Sequence, residues 1–421
     1  MTVADRIRYA ETTASAATPP RRDGHGDRHR GLHGAPVPWD TARRIATQAV
    51  RPLPPADLPL SLAGGCRLAQ PLRALVALPR DDVAAMDGYA VAGPSPWRVV
   101  GRVLAGQPRH RGTLAPGTAV EIATGAPVPE GADSVLPYEA ASERRGLAAT
   151  EVSGDSPYGR HIRRRGEECA EGSVVLGAGA PLTPVALGLA AGLGHDTLRV
   201  HPLPVVGVLI TGDEVVGAGL PGEGRVRDAV GPLLPGLIEW AGGRAGESRW
   251  VPDGEAALTR AIAAHCGSAD VIAVCGASSK GRADHLRPVL SRLGADVLVD
   301  GVAVRPGHPQ LLARLPGGRL VVGLPGNPYA ALAAALTLLL PAVRGLLGRP
   351  ECRGERTALA ETVPSHPSDT RLVAVRRSAR GAVPVGHDRP GSLWGAALAD
   401  ALAVVPPRWE GGPVELLALP A

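Results

Sequence analysis

Residues 269–285 read Ala-Asp-Val-Ile-Ala-Val-Cys-Gly-Ala-Ser-Ser-Lys-Gly-Arg-Ala-Asp-His, and their pattern decides the class of fold. Val271, Ile272 and Val274 make a short apolar run of the kind that fills a fully buried strand, and it stops at Cys275 in a loop of small residues. The loop carries the hydroxyls of Ser278 and Ser279, the single lysine of the chain, Lys280, and the carboxylate of Asp284. In an open α/β sheet, ligands bind beyond the carboxyl ends of the strands, so Gly276 through Gly281 are expected to aim donors at an anion. Asp284 falls where the next helix starts, a place that favours a carboxylate even without a ligand. Cys275, ending a buried strand, reads as core packing.

Outward from this strand, residues 204–347 alternate strand and helix, which predicts a doubly wound α/β unit over about 201–348. A strand over 205–210 ends in Thr211-Gly212-Asp213-Glu214. Helices are expected over 233–240, 256–264 and 286–293, and further strands over 297–299 and 320–323. The last strand leads through Leu324-Pro325-Gly326-Asn327-Pro328 into a helix over 330–340. Asn327 suits an N-cap and Pro328 the first helical position, so unpaired backbone N–H groups would face the strand end as an anion cradle.

The flanking sequence predicts smaller units. Residues 1–35 are polar, Arg- and Gly-rich and read as a disordered extension; His25, His29 and His33 recur every four residues, but the intervening glycines would not hold them on one helix face. Residues 36–60 together with 155–200 read as a discontinuous mixed α/β domain, 61–154 as a β-rich domain and 349–421 as a second β-rich domain. Two turn-rich loops of the first β-rich segment carry acids and hydroxyls, at 82–91 and 122–133. Arg163-Arg164-Arg165-Gly166-Glu167-Glu168 has two readings: a solvated turn with internal ion pairs, or a guanidinium fork for an anion with Glu168 open to a cation. In the last segment Arg376 and Gly391-Ser392 are the candidate ligand groups, against a structural role.

Composition narrows the function classes. The 421 residues predict about two to four domains, and with 44% hydrophobic residues and no Phe the cores must be Ala, Val and Leu. Lys and Arg number 45 against 40 acids, a net charge of +5 with the signs interspersed, which suits anionic small molecules and argues against nucleic acid. Five cysteines without Cys-x-x-Cys spacing indicate neither a zinc site nor a disulfide framework and fit a reducing cytoplasm. No signal peptide is expected, and no membrane span, because the apolar run 332–340 is bounded by Asn327 and Pro341.

Taken together and in order, AMDGYAV from Ala85, TGAPVPEGAD from Thr124, RRRGE from Arg163, TGDE from Thr211, the loop at Gly276, RPG from Arg305 and GLPGNP from Gly323 resemble the molybdopterin molybdenumtransferases, a family related to the gephyrin E domain. The resemblance runs from about residue 37 to the end. It implies an elongated four-domain subunit and a homodimer whose site lies between the α/β domain of one subunit and parts of the other. It also implies the reaction: molybdate inserted into the dithiolene of adenylylated molybdopterin, with release of AMP and a need for Mg2+. A molybdopterin adenylyltransferase would act upstream and molybdoenzyme apoproteins downstream. Carried over by motif, Asp87, Thr124, Glu214, Asp228 and Asp284 would be catalytic, with Glu168, Glu214, Asp228 and Asp284 on the metal. Ser278, Ser279, Lys280, Arg305, His308, Pro325, Gly326, Asn327, Arg371, Arg376 and Ser392 would hold phosphate and pterin.

The residue types suit that chemistry, since a tetrahedral dianion and a phosphorylated pterin need fixed donors, and Mg2+ needs hard carboxylate oxygens. The chain also departs from the family's pattern. Ala277 stands for a second glycine, Arg282 for an acid, Ala229-Val230 for polar residues after Asp228, and Arg305-Pro306-Gly307-His308 for Lys-Pro-Gly-Lys. These changes keep a second class of function in view, a paralogue that carries molybdopterin without turning it over.

Overall fold

The computed structural model describes residues 35–146, 149–276, 285–349 and 354–420. The expected extension 1–35 lies, but for its last residue, outside them, as do Ser278, Ser279, Lys280 and Asp284 of the central loop.

Six strands make the α/β sheet: β1 Val205–Thr211, β2 Arg244–Val251, β3 Val271–Cys275, β4 Asp296–Asp300, β5 Leu311–Arg314 and β6 Leu320–Leu324. Their order is β2-β1-β3-β6-β5-β4. The first four run parallel, whereas β5 is antiparallel to both β6 and β4, so a meander closes one edge. Helices α1 Leu233–Trp240 and α4 Pro328–Leu346 cover one face together with the N-terminal helix Trp39–Gln48, and α2 Glu255–His265 and α3 Leu286–Arg292 cover the other. Every residue of β3 and β6 is buried, which is why these strands read as unbroken apolar runs. Strand β2 went unread because seven of its eight residues are not fully buried; an edge strand carries little apolar signal.

Helix α4 corrects the expected stop before Pro341. It runs on to Leu346, and the turn Ala335–Leu339 widens to a π-helix in which the Leu340 N–H reaches back to the Ala335 carbonyl. A widened turn of this kind lets a helix absorb a proline that cannot donate. The helix is therefore long and apolar enough by length and composition to cross a membrane, yet 89% of its apolar window is buried within the protein. It is the core helix against which Trp39 packs, with the Trp39 Nε1 donating to Thr337 Oγ1 at 3.1 Å.

The remaining sheets are β-rich. Gly88–Ala92, Trp97–Val103, Thr118–Ile122, Ser134–Pro137, Ser142–Arg145 and Thr150–Ser153 form one six-stranded sheet. Chain segments on either side of it pair with each other, Ala56–Pro59 and Arg67–Leu68 with Thr197–His201 and Leu72–Arg73 with Val174–Leu176. The C-terminal sheet takes in a strand from the middle of the chain: Val302–Arg305, between β4 and β5, leaves the α/β sheet and runs parallel to both Val37–Pro38 and Thr370–Ser378.

Candidate functional site

Three parallel strands end at one point. Thr211 Oγ1, at the end of β1, donates to the Cys275 carbonyl at 2.9 Å, and the Gly276 N–H donates to the Leu324 carbonyl of β6 at 3.1 Å. Gly276 sits at φ +102°, and a Cβ there would lie 2.6 Å from the Thr211 carbonyl oxygen; a Cβ on Gly326 would lie 3.5 Å from Gly276 Cα. The floor of the crevice is thus backbone, which is what lets N–H groups approach a ligand closely. Cys275 belongs to the core: burial pushes its thiol up to about 12, Asp228 adding its charge in the same direction, and the Sγ lies 3.3 Å from the Pro325 carbonyl oxygen.

Asp228 follows Val226–Arg227, which pairs with Val215–Val216 just past the end of β1, and its N–H donates to the Val216 carbonyl at 3.0 Å. Its Oδ1 accepts from the N–H groups of Val230 and Gly231 at 2.9 and 2.8 Å, so one oxygen is spent on its own turn. The Glu214 carboxylate folds over Gly212, where a Cβ would come within 2.6 Å of Oε2. Glu214, Asp228 and the Pro325-Gly326-Asn327 turn therefore share the carboxyl edge of the sheet.

Beside this edge lies a cleft of about 530 Å³ lined by Arg305, His308, Pro325, Asn327 and Arg371, with Asp388 at its rim. Its two arginines are direct neighbours in the parallel register of Val302–Arg305 with Thr370–Ser378. Adjacent strands lie about 4.8 Å apart, and like charges side by side repel. Each is balanced by an aspartate that carries no motif or spacing signal of its own. Arg305 Nε donates to Asp369 Oδ2 at 2.8 Å, and Arg371 donates to Asp388 and to the Pro364 carbonyl. Burial alone would raise the Asp369 carboxyl, but Arg305, the Ser368 hydroxyl and His366 outweigh it and hold it below the usual range.

Two expected roles here change. Asn327 occupies the N-cap of α4, but its side chain makes no capping bond to the helix; its Oδ1 instead lies 3.9 Å from where a Cβ on Gly391 would stand. The Tyr329 N–H donates to the Pro390 carbonyl at 2.9 Å, bringing the segment that carries Ser392 over the start of α4. Ser392 itself uses its Oγ to accept from the Trp394 N–H at 3.2 Å. Arg376 does not line the cleft: five residues beyond Arg371 on one strand, it lies about 16 Å away on the opposite face and donates to the Leu398 carbonyl at 2.9 Å.

The N-terminal motifs are stitched into a separate knot. Asp87 Oδ1 accepts from the Thr124 N–H at 2.6 Å, the Ala84 and Val83 backbones pair with Ile162 and Arg163, and the Ala84 N–H reaches the Ala126 carbonyl. Asp82 ties in the arginines, accepting from Arg164 Nη1 at 2.7 Å and from the Arg165 N–H at 2.8 Å. Burial opposes ionisation of Asp82, yet these donors win and lower its pKa. Glu168 lies 3.9 Å from Arg163 Nη1, so the ion-pair reading of this segment describes its present contacts. Asp87 and Thr124 thus bond to each other, and Glu168 pairs with Arg163, inside this knot. Among the described residues no three His, Cys, Asp or Glu side chains gather closely enough to hold a metal by themselves.

Two family descriptions fit the chain, "MoeA N-terminal region (domain I and II)" over residues 37–194 and "Probable molybdopterin binding domain" over residues 207–345. "Molybdopterin molybdenumtransferase 2" of Mycobacterium tuberculosis is 34% identical over 324 residues, 73% of this chain and 79% of that protein. "Molybdopterin molybdenumtransferase" of Synechococcus elongatus is 37% identical over 312 residues, covering 70% and 77%. A crystal structure of the molybdopterin biosynthesis MoeA protein of Pyrococcus horikosii superposes with a TM-score of 0.63 at 26% identity, covering 92% of this chain and 100% of that one. With residues 37–194 and 207–345 matched by the two family descriptions and relatives 34% and 37% identical over 73% and 70% of its length, the chain belongs to the molybdopterin molybdenumtransferase family.

Proposed function

We propose that this protein inserts molybdenum from molybdate into the dithiolene of adenylylated molybdopterin and releases AMP. The observation that carries the reading is the pair of neighbouring arginines, Arg305 and Arg371, beside a crevice floored by Gly276 and Gly326, with Asp228 just past the end of β1. The guanidinium of Arg305 and the N–H groups of the Asn327 turn would seat the phosphates of the substrate, and the glycine floor would admit the pterin side close to the backbone.

Mg2+ fits the donor set, because it keeps most of its waters and is held by one or two carboxylates together with substrate phosphates. Glu214 and the second oxygen of Asp228 would hold it, with Asp284 a further ligand, and when bound it would neutralise charge developing on the anhydride. Asp87, Thr124 and Glu168 would reach the site from a second copy of the chain, which makes the working unit a homodimer. A molybdopterin adenylyltransferase would supply the substrate, and molybdoenzyme apoproteins would take the product. The described cysteines Cys66, Cys169, Cys266 and Cys275 are unpaired thiols, which supports a cytoplasmic setting.

The test measures AMP release by the purified chain from adenylylated molybdopterin with Mg2+. Release that requires molybdate, and that drops about a hundredfold or more in Asp228→Ala, is the expected result. Unchanged substrate binding with no AMP release from the wild type would replace this reading by the carrier.

A further inference from the structure

Arg305 and Arg371 are bonded differently, and the difference bears on how the cleft chooses an anion. Arg305 holds Asp369 through Nε alone, and its side chain remains 59% exposed while that of Asp369 is 10% exposed. This pair orients the guanidinium and leaves it presented to the cleft. Arg371 spends both terminal nitrogens inside the protein, Nη1 on the Pro364 carbonyl and Nη2 on Asp388, and only 19% of its side chain is exposed. Asp388, 35% exposed, comes from the segment that crosses the start of α4 and lines the same cleft. Its carboxylate therefore sits where an incoming anion would meet Arg371.

We propose that Asp388 is a specificity-determining residue: it fills the anion seat of Arg371, so that a phosphate must displace it to bridge Arg371 and Arg305. The inference rests on the reading that this cleft receives the phosphorylated part of the substrate. An apparent affinity is lowered by the fraction of molecules whose seat is closed, so any anion that uses Arg371 meets this penalty. A ligand with two linked phosphates offsets it by engaging both guanidiniums, whereas a small monoanion gains one contact only. The gate thus keeps common anions off a site that must be vacant for its own substrate. Two aspartates in one cleft then have opposite effects, Asp369 supporting binding and Asp388 opposing it.

Titration calorimetry of the full chain with inorganic pyrophosphate tests this, with chloride held constant because exposed charge is screened. Asp388→Asn and Asp388→Ser are each expected to bind about three- to tenfold tighter than wild type, the range of a partly exposed ion pair removed. The gain should vanish in an Arg371→Gln background, and Asp369→Asn should bind more weakly than wild type. Equal or weaker binding by both Asp388 variants, or an equal gain with Arg371→Gln present, would overturn the gate while leaving pyrophosphate binding by the wild type, and hence the cleft's role, intact. If neither wild type nor any variant binds pyrophosphate, the gate falls together with the phosphate reading of the cleft.

Discussion

Gly276 shows how much one residue settles at the site. At φ +102°, with the Thr211 carbonyl 2.6 Å from any added Cβ, it can be only glycine unless β1 and β3 move apart. Gly276→Ala is expected to lower stability by about 1–3 kcal/mol, read by denaturant unfolding, and to abolish molybdate-dependent AMP release. The sequence marked Gly276 as the start of a donor loop, but its positive φ depends on the approach of β1, which no local pattern shows. Asp369 and Asp388 had no such signal: their partners are 64 and 17 residues away, and only the strand register makes them neighbours of the arginines. Asp369 also predicts a pH dependence. Its pKa lies below the ordinary 3.8, so its stabilisation is complete above that value and is lost as the pH falls through the lowered one. Asp369→Asn lacks this component, and its stability deficit relative to wild type should stay constant from about pH 7 to about pH 5 and shrink as the pH falls below about 4 in pH-stepped denaturant melts.

Among the elements, legibility did not simply follow burial: the edge strand β4 was expected over 297–299, whereas the interior β5 Leu311–Arg314, only four residues long, was not. The helix α1 Leu233–Trp240 was read to the residue, because Leu234, Leu237 and Ile238 keep a helical spacing against the core. Strand β2 was invisible, and α4 was cut short because a proline was taken as an end when a widened turn carries the helix past it. This long helix also links two sheets. The buried Tyr329 hydroxyl donates to the Leu372 carbonyl at 2.9 Å, one residue beyond Arg371. Tyr329→Phe removes that donor and is expected to cost about 1–2 kcal/mol in denaturant unfolding, with pyrophosphate affinity falling as Arg371 loses its support.

At the scale of the whole molecule, the N-terminal knot and the strand-end crevice each close on hydrogen bonds of their own. If a dimer joins them, defects on the two sides should complement. Asp87→Ala and Asp228→Ala would each be inactive alone, and a mixture allowed to exchange subunits should recover about a quarter of wild-type AMP release, because half the dimers would be mixed and carry one intact site of two. No recovery after verified exchange would place both sides within one chain. The sequence could order these motifs but not assign them to subunits, since that depends on surfaces that meet only on assembly. The path of Val302–Arg305 has a further consequence, for modularity. This strand lies between Val37–Pro38 and Thr370–Ser378, so an excised α/β fragment would keep Arg305 but leave its backbone bare along both edges. Such a fragment should be sticky and poor at holding anions, and any ancestor that gained the last seventy or so residues gained the wall of its binding cleft in the same event.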